Sequence, residues 1–336
     1  MSKMENKQIP IWTSIITFIA SLTVEPIMML DGLAYSVMVV FVEHLQMDKI
    51  CLVNLNYTHE ICENITVHEK ENLELQQYFS YFGMYNGIIM AFLPLFFILF
   101  MGAWSDKYGR KIPLVIATFG HFFFAFGYLL NAYVFHWPVE YLLIAALMDS
   151  LGGGLVSFLT STNSYISDVT SEEKRTSRVG FANSLWYLGG PIGTFLGTMI
   201  YKHGGYMMVF GTSLAMYSAN LVMALCLAES HGPFATIKKP LKPNHSTIKE
   251  KKSISPQKSI KETEKPLDKT QITTMQMIKD LVNYRRIVDS FRSTFKKREG
   301  CVRVFILLLI TCNLLRRLGR GKFSFFILYL SKHFFI

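Results

Sequence analysis

Three acidic residues stand inside long apolar stretches of the sequence, where a charged side chain is costly to bury. Glu25 precedes Pro26 in the first stretch, Asp31 follows in the same stretch, and Asp149 lies in the fourth. Ionisable residues at such depth usually take part in moving protons or solutes. We therefore interpret Glu25, Asp31 and Asp149 as candidates for a substrate or proton pathway.

Polar and small residues extend this candidate pathway along the fourth and fifth stretches. In the fourth they recur every three or four residues, which predicts one polar helix face made of Asp149, Gly153, Ser157, Thr160 and Ser164. Such a face lines a cavity or packs closely against another helix. In the fifth stretch Asn183 and Tyr187 are candidate solute contacts. A four-residue repeat in the same stretch favours close helix packing, and its members are Gly189, Gly193 and Gly197.

The sequence lacks the motifs of the common hydrolases and metal enzymes. It contains no H-E-x-x-H, no G-x-S-x-G and no cluster of Cys and His with metal-site spacing. We therefore expect no enzyme activity, no metal and no cofactor. His121, in the third stretch, is interpreted as a packed or interfacial histidine rather than as a proton relay.

The elements that position these residues are apolar runs long enough to cross a membrane. The chain has 336 residues, of which 51% are apolar and 17% charged, and its mean hydropathy is +0.28. A bilayer core takes about 20 helical residues. Seven runs reach that length, over residues 11–42, 78–101, 112–134, 139–165, 179–201, 206–228 and 302–329. They predict an all-α polytopic membrane protein that contacts the lipid bilayer.

The charge of the chain is concentrated in one segment and does not indicate a nucleic-acid partner. Residues 229–300 hold 17 Lys and Arg against 8 Asp and Glu. We expect a six-helix bundle over 1–228, a basic linker over 229–300 and a seventh helix within 301–336. Short loops on one side hold eight basic residues against three on the other, so the N-terminus and the linker are predicted to be cytoplasmic. The linker is interpreted as a topology determinant, with a contact to anionic lipids as the alternative.

The predicted outer loop, residues 43–77, carries signals of a different compartment. It contains two N-glycosylation sequons, at Asn56 and Asn64. Cys51 and Cys62 flank the first sequon, and a disulfide between them is as plausible as two free thiols.

A ten-residue loop between the second and third runs combines tight turns with charge. Its conspicuous residues are Gly102, Asp106, Lys107, Gly109, Arg110 and Lys111. Asp106 can pair with a basic residue or a helix N-terminus, and Arg110 offers two parallel donors to a carboxylate. The pattern resembles the signature of the major facilitator superfamily, in which such pairs close the inner mouth of a transporter.

The loop at 167–178, two helices later, resembles the corresponding loop of the same superfamily. The resemblance implies that Asp168 and Arg175 belong to the same charge network. A plain helix-capping role for this loop is the alternative.

Within the superfamily the chain is most similar to the proton-coupled folate transporter family, solute carrier family 46. The likeness rests on Val-Glu-Pro at 24–26, Cys51 through Cys62, Gly-Ala-Trp-Ser-Asp at 102–106, Ser-Asp-Val-Thr at 167–170 and Phe-Ile-Leu-Tyr-Leu at 326–330. It implies a twelve-helix carrier of organic anions, so that this chain would be truncated after the seventh helix. A folate carrier of the family has Glu where Asn183 stands here, and Asn cannot titrate.

The resulting hypothesis is a secondary active transporter of folate-like organic anions that works by alternating access, with proton coupling as an open option. The alternative is a non-transporting half-carrier that acts as a membrane binding partner, receptor or regulator. Either reading allows a second half or an oligomeric partner. The plasma membrane and the endolysosomal membrane remain equally open.

Overall fold

The computed structural model describes residues 23–230 together with Leu308 and Thr311. The chain divides into two units, residues 1–277 and 278–336. The helical bundle belongs to the first unit. In the second, the Thr311 hydroxyl donates a 2.9 Å hydrogen bond to the Leu308 carbonyl.

Three of the sequence predictions lie outside the described residues. They are the start of the first predicted helix at 11–22, the linker beyond residue 230, and the seventh helix at 302–329 apart from its two described positions.

Residues 23–230 are helical and contain no strand. The helices are α1 (Glu25–Lys49), α2 (His59–Glu63), α3 (Glu69–Tyr108), α4 (Lys111–Tyr133), α5 (Leu142–Leu151), α6 (Gly154–Val169) and α7 (Glu172–Cys226). A π-helical turn, Ile50–Asn54, continues α1, and a 3-10 turn, Val139–Tyr141, leads into α5.

Helix α7 is too long for a single membrane crossing and is divided by two glycines. Its 55 residues would extend about 80 Å, against a bilayer core of about 30 Å. Gly204 and Gly205 have non-helical backbone angles and separate a first arm, residues 172–203, from a second arm, residues 206–226. The described part of the chain has five stretches that are long and apolar enough to cross a membrane: α1 with its π turn, α3, α4, the α5–α6 pair and α7, of which the last is divided into two arms. The predicted all-α polytopic membrane fold is confirmed.

The first helix extends further than the sequence predicted. It runs through the polar residues after Val42 to Lys49, and the π turn carries it to Asn54. The polar stretch can remain helical because the buried Lys49 ammonium donates hydrogen bonds of 3.0 Å to the Phe135 carbonyl and 2.9 Å to the Trp137 carbonyl. The predicted loop at 43–77 is therefore mostly helical.

The predicted polar face of the fourth run is interrupted, so the prediction of one continuous face was wrong. Gly153 and Gly154 adopt φ angles of +85° and +54°, which side chains with a Cβ rarely tolerate, and they separate α5 from α6. Asp149 lies on α5, whereas Ser157 and Thr160 lie on α6. The two parts of the face point to different places in the bundle.

The glycine repeat lies where the first arm of α7 crosses α1. A Cβ at Gly189 would be 2.6 Å from the Gly32 carbonyl carbon, and one at Gly193 would be 2.7 Å from the Ser36 Cβ. A Cβ at Gly197 would meet the carbonyl of Val37. The absence of side chains thus lets the two backbones touch.

The bundle contains two buried apolar clusters, one towards each of its ends. The cluster towards the end that carries Cys51 and Cys62, called here the disulfide end, includes Phe41, Tyr128 and Phe210. The cluster towards the opposite end, called the basic end because it carries the loop at 102–111, includes Ile27, Leu114 and Phe158, among others. Asp31 and His121 fall between the two clusters along α1 and α4.

Gly193→Ala is expected to lower the free energy of unfolding by about 1–3 kcal/mol, because the added methyl overpacks the contact with α1. Gly190→Ala is the matched control, since a Cβ there meets nothing within 4 Å. The control should be neutral or stabilising by up to about 1 kcal/mol through helix propensity. Thermal unfolding of the purified protein in detergent measures both, and equal shifts for the two variants would contradict the packing role.

Candidate functional site

Asp31 is fully buried in the middle of the bundle and receives hydrogen bonds from three helices. Its Oδ1 lies 2.8 Å from Nδ1 of His121 on α4. Trp186, on the first arm of α7, donates its indole N–H to Oδ2 at 3.1 Å, and Asn220, on the second arm, donates to Oδ1 at 3.3 Å. The carboxylate is therefore held in a fixed orientation.

His121 lies between two carboxylates. Its Nε2 is 3.7 Å from Oδ1 of Asp149 on α5, while Nδ1 contacts Asp31. The imidazole packs against the rings of Phe158 and Tyr217, with centroid distances of 5.4 and 5.6 Å. We call Asp31, His121 and Asp149 the buried centre, with Trp186 and Asn220 as its donors.

The buried centre has an excess of acceptors. Within residues 23–230, the ion pairs of Asp31 and Asp149 are with His121, and Oδ1 of Asp149 and Oδ1 of Asn220 have no hydrogen-bond partner. Two carboxylates thus face one imidazole in an apolar surrounding, and one carboxylate oxygen is left without a donor.

Glu25, the third predicted acidic residue, lies apart from the buried centre. Its carboxylate accepts a 2.5 Å hydrogen bond from Nε of Arg178, on the first arm of α7. The same guanidinium reaches Oγ1 of Thr23 at 3.2 Å and Oγ1 of Thr170 at 3.4 Å. Glu25 therefore ties the start of α1 to α7 at the basic end.

The other predicted pathway residues are dispersed. Asn183 donates to Oδ1 of Asn163 on α6 at 3.0 Å, and Tyr187 is 67% exposed. Ser157 is buried and Thr160 is exposed, and both face the basic end. These residues do not join Asp31 and Asp149.

At the basic end Arg110 links the loop at 102–111 to α6. Its guanidinium pairs with Asp106 and, at 3.2 Å, with Asp168, and it donates to Oγ of Ser105 at 2.6 Å. The preceding Gly109 has a φ of +126° and forms the turn between α3 and α4. The pairing predicted between this loop and Asp168 is thus present in the structure.

The remaining residues of the loop are arranged around this turn. The Gly102 carbonyl accepts a hydrogen bond from Oγ of Ser105 at 2.8 Å. The ammonium of Lys107 lies 4.9 Å from the centre of the Tyr108 ring. Lys111 begins α4.

Glu229 is a functional candidate that the sequence interpretation missed. Its Oε1 accepts hydrogen bonds from the backbone N–H of Arg110 at 2.8 Å and of Lys111 at 3.2 Å, so a carboxylate caps the N-terminus of α4. The Tyr165 hydroxyl fixes the same segment by donating to the Ala228 carbonyl at 2.8 Å. In the sequence, the feature that pointed to Glu229 was its position as an acidic residue directly after the sixth apolar run.

Arg175 is exposed and, in the part of the chain that the structure describes, makes no ion pair. The prediction that it joins the charge network with Asp168 was therefore not met. Arg178, one helical turn later, points inward to Glu25 instead.

A polar depression of about 360 Å³ opens at the basic end beside Arg110. Hydroxyl, amide and charged side chains line it, namely Arg110, Thr160, Asn163, Ser164, Ser167 and Asp168. It offers hydrogen-bond donors and one guanidinium to a polar solute.

The disulfide end carries the residues predicted for an outer compartment. Cys51 and Cys62 form a disulfide with a Cα–Cα distance of 6.0 Å. Asn56 and Asn64 are both exposed there, and Asn56 has a φ of +53°. The sequons are therefore accessible.

The chain is similar to known membrane transporters. The family model described as Major Facilitator Superfamily matches residues 69–329. The proton-coupled folate transporter of Bos taurus is 26% identical over 160 residues, which are 47% of this chain and 34% of the relative. The probable peptidoglycan muropeptide transporter SLC46 of Drosophila melanogaster is 27% identical over 196 residues, 54% of this chain and 37% of the relative.

The matches to these two relatives thus span only about a third of their length. Among solved structures, the human organic anion transporter MFSD10 aligns with a TM-score of 0.45 at 15% identity, covering 62% of this chain and 47% of that one.

Glu229→Ala is expected to destabilise the protein by about 1 kcal/mol, because the first two N–H groups of α4 lose their carboxylate acceptor. Glu173→Ala, in the exposed first turn of α7, is the control and should cost only a few tenths of a kcal/mol. Thermal unfolding in detergent compares the two. A Glu229 variant as stable as the control would contradict the capping role.

Proposed function

Since the chain belongs to the major facilitator superfamily, we propose that it is a secondary active transporter of small organic anions that works by alternating access. The observation that carries this proposal is the Arg110 network at the basic end. One guanidinium there joins the loop at 102–111 to Asp168 of α6, and Glu229 joins the same loop to the end of α7.

This network has the properties of a gate. Arg110 and Asp168 are partly exposed, with 17% and 27% of their side-chain surface accessible. Such a pair is buried enough for its geometry to be fixed, and it is exposed enough for water to replace either partner. We infer that the pairs hold the basic end closed in one state and separate in the other.

Two observations support organic anions as the solute class. The bovine relative is a proton-coupled folate transporter, and the basic end has a hydroxyl-lined depression of about 360 Å³ beside Arg110, whose guanidinium becomes available to a solute when its pairs with Asp106 and Asp168 separate. A carboxylate-bearing solute matches such donors. Folate-like anions are therefore the first solutes to test.

We further propose that transport is coupled to protons. Asp31 and Asp149 are the candidate carboxylates of the proton pathway, since both are buried near the middle of the bundle. Glu25 belongs to the Arg178 contact at the basic end, and Asn183 has no titratable group. Coupling at the buried centre follows from its excess of acceptors.

The proposed orientation has the basic end in the cytoplasm, with the disulfide and the two sequons outside. The apolar residues Phe92 and Phe96 of α3 and Phe195 of α7 are exposed on the bundle. We propose that lipid and a second helical bundle, from another segment or another copy, cover these faces. The membrane would be the plasma membrane or an endolysosomal one.

Uptake of radiolabelled folic acid by liposomes that contain the purified chain tests the proposal. We expect uptake that an acidic exterior accelerates, and that Arg110→Ala lowers about tenfold or more, as loss of charge-assisted hydrogen bonds of about 1.5–3 kcal/mol implies. Lys174→Ala, an exposed basic residue at the same end, should leave uptake unchanged.

Binding of folic acid without uptake would contradict transport by this chain and favour the alternative of a membrane-bound receptor or regulator. Uptake that is the same at acidic and neutral pH would remove the proton coupling alone. Equal uptake by wild type and Arg110→Ala would contradict the gate.

A further inference from the structure

We propose that His121 is the proton-binding residue of the buried centre and that it exchanges a proton with Asp149 while Asp31 holds it in place. The sequence suggested a packed histidine, and neither the family resemblance nor the comparisons assign it a role. The physiological meaning of this proton rests on the proposed transport function, but its existence does not.

The two sides of the imidazole are unequal. Nδ1 lies at hydrogen-bond distance, 2.8 Å, from Asp31, whereas Nε2 lies 3.7 Å from Asp149. Asp31 cannot turn towards another partner, because Trp186 and Asn220 also donate to it. The short contact with Asp31 therefore orients the imidazole ring. The longer contact with Asp149 is the one in which the hydrogen-bond partner can change.

Oδ1 of Asp149 is the carboxylate oxygen next to His121 that lacks a donor. It is buried, and within residues 23–230 it has no hydrogen-bond partner. A shift of a few tenths of an ångström to one ångström would bring Nε2 into hydrogen-bond range. A proton on Asp149, or one donated to it by His121, satisfies an otherwise orphaned buried group.

The net charge of the buried centre also favours a proton on Asp149. With His121 protonated and both carboxylates ionised, the buried centre has a net charge of −1 in an apolar surrounding. One more proton, on Asp149, makes it neutral. Burial of the centre thus favours its neutral form, and loss of the proton requires access of water.

The other groups that face His121 do not titrate in the same range. The Tyr35 ring of α1 lies 6.0 Å from the Trp186 ring, Tyr217 of α7 lies beside the imidazole, and α6 contributes Phe158. Tyrosines in water ionise only near pH 10. From α5 the other polar neighbour of Asp149 is Ser150, which carries no charge. The proton of the proposal therefore lies on His121 or Asp149 and not on a tyrosine.

Trp186 provides a reporter, because its indole N–H is hydrogen-bonded to the same Asp31 carboxylate that holds His121. The experiment is a fluorescence titration of the full chain in detergent, without solute, from about pH 4 to pH 10. We compare wild type, Trp186→Phe, His121→Gln, Asp149→Asn and the control His44→Gln, whose side chain is exposed on α1. Subtraction of the Trp186→Phe signal removes the other three tryptophans, Trp12, Trp104 and Trp137.

We expect a pH-dependent Trp186 signal in wild type and in His44→Gln. In Asp149→Asn its midpoint should move by about one pH unit or more, and in His121→Gln the transition should be lost or moved as far. A wild-type signal without a pH-dependent component would overturn the proposal, as would a midpoint shared by wild type and Asp149→Asn. The wild-type measurement decides the question even if His121→Gln does not fold. Loss of uptake with an intact titration would count against the transport proposal alone.

Discussion

Moving a carboxylate from water into an apolar interior costs of order 20 kcal/mol in the idealised limit, and still several kcal/mol after relaxation. Asp31 and Asp149 both lie at that depth, between two apolar clusters of the bundle. Two helices supply the donors that Asp31 needs: α4 gives the imidazole of His121, and the two arms of α7 give Trp186 and Asn220. The helices of the bundle are packed so that these donors reach the buried carboxylate.

Glycines make the required distances possible. The repeat on the first arm of α7 brings the backbone of Trp186 against Gly32, one residue after Asp31, so that the indole reaches the carboxylate. On the other side, a Cβ at Gly120 would be only 3.1 Å from the Asp149 carbonyl oxygen. Close approach of α4 and α5 there allows Asp149 to face His121. Each of these close contacts thus depends on a glycine, which has no side chain, in one of the two helices.

Much of this organisation could be predicted from the sequence. The apolar runs, the turn signature around Gly109 and Arg110, and the depth of Asp31 depend on local composition and spacing, which the sequence displays directly. The role of His121 could not be read in this way, since its partners lie on α1 and α5 and no local pattern joins them. Arg175 and Arg178 are three residues apart and lie close together on one side of α7, so the sequence does not show which of them reaches Glu25 on α1.

Backbone geometry accounts for the other differences. The left-handed glycines between α5 and α6 broke a polar face that strict helical periodicity made continuous. The buried Lys49 extended α1 because carbonyls of a distant loop accept its hydrogen bonds. In both cases the deciding contact is far away in sequence.

In the proposal for the buried centre, Asp149 holds the proton that makes the centre neutral and can exchange it with His121. Infrared spectroscopy of the purified protein near neutral pH tests it directly, because a protonated buried carboxyl has a carbonyl stretch distinct from that of a carboxylate. The account predicts such a band in wild type, its shift on exchange into heavy water, and its loss in Asp149→Asn. A wild-type spectrum without the band, or a band that survives in Asp149→Asn, would contradict it.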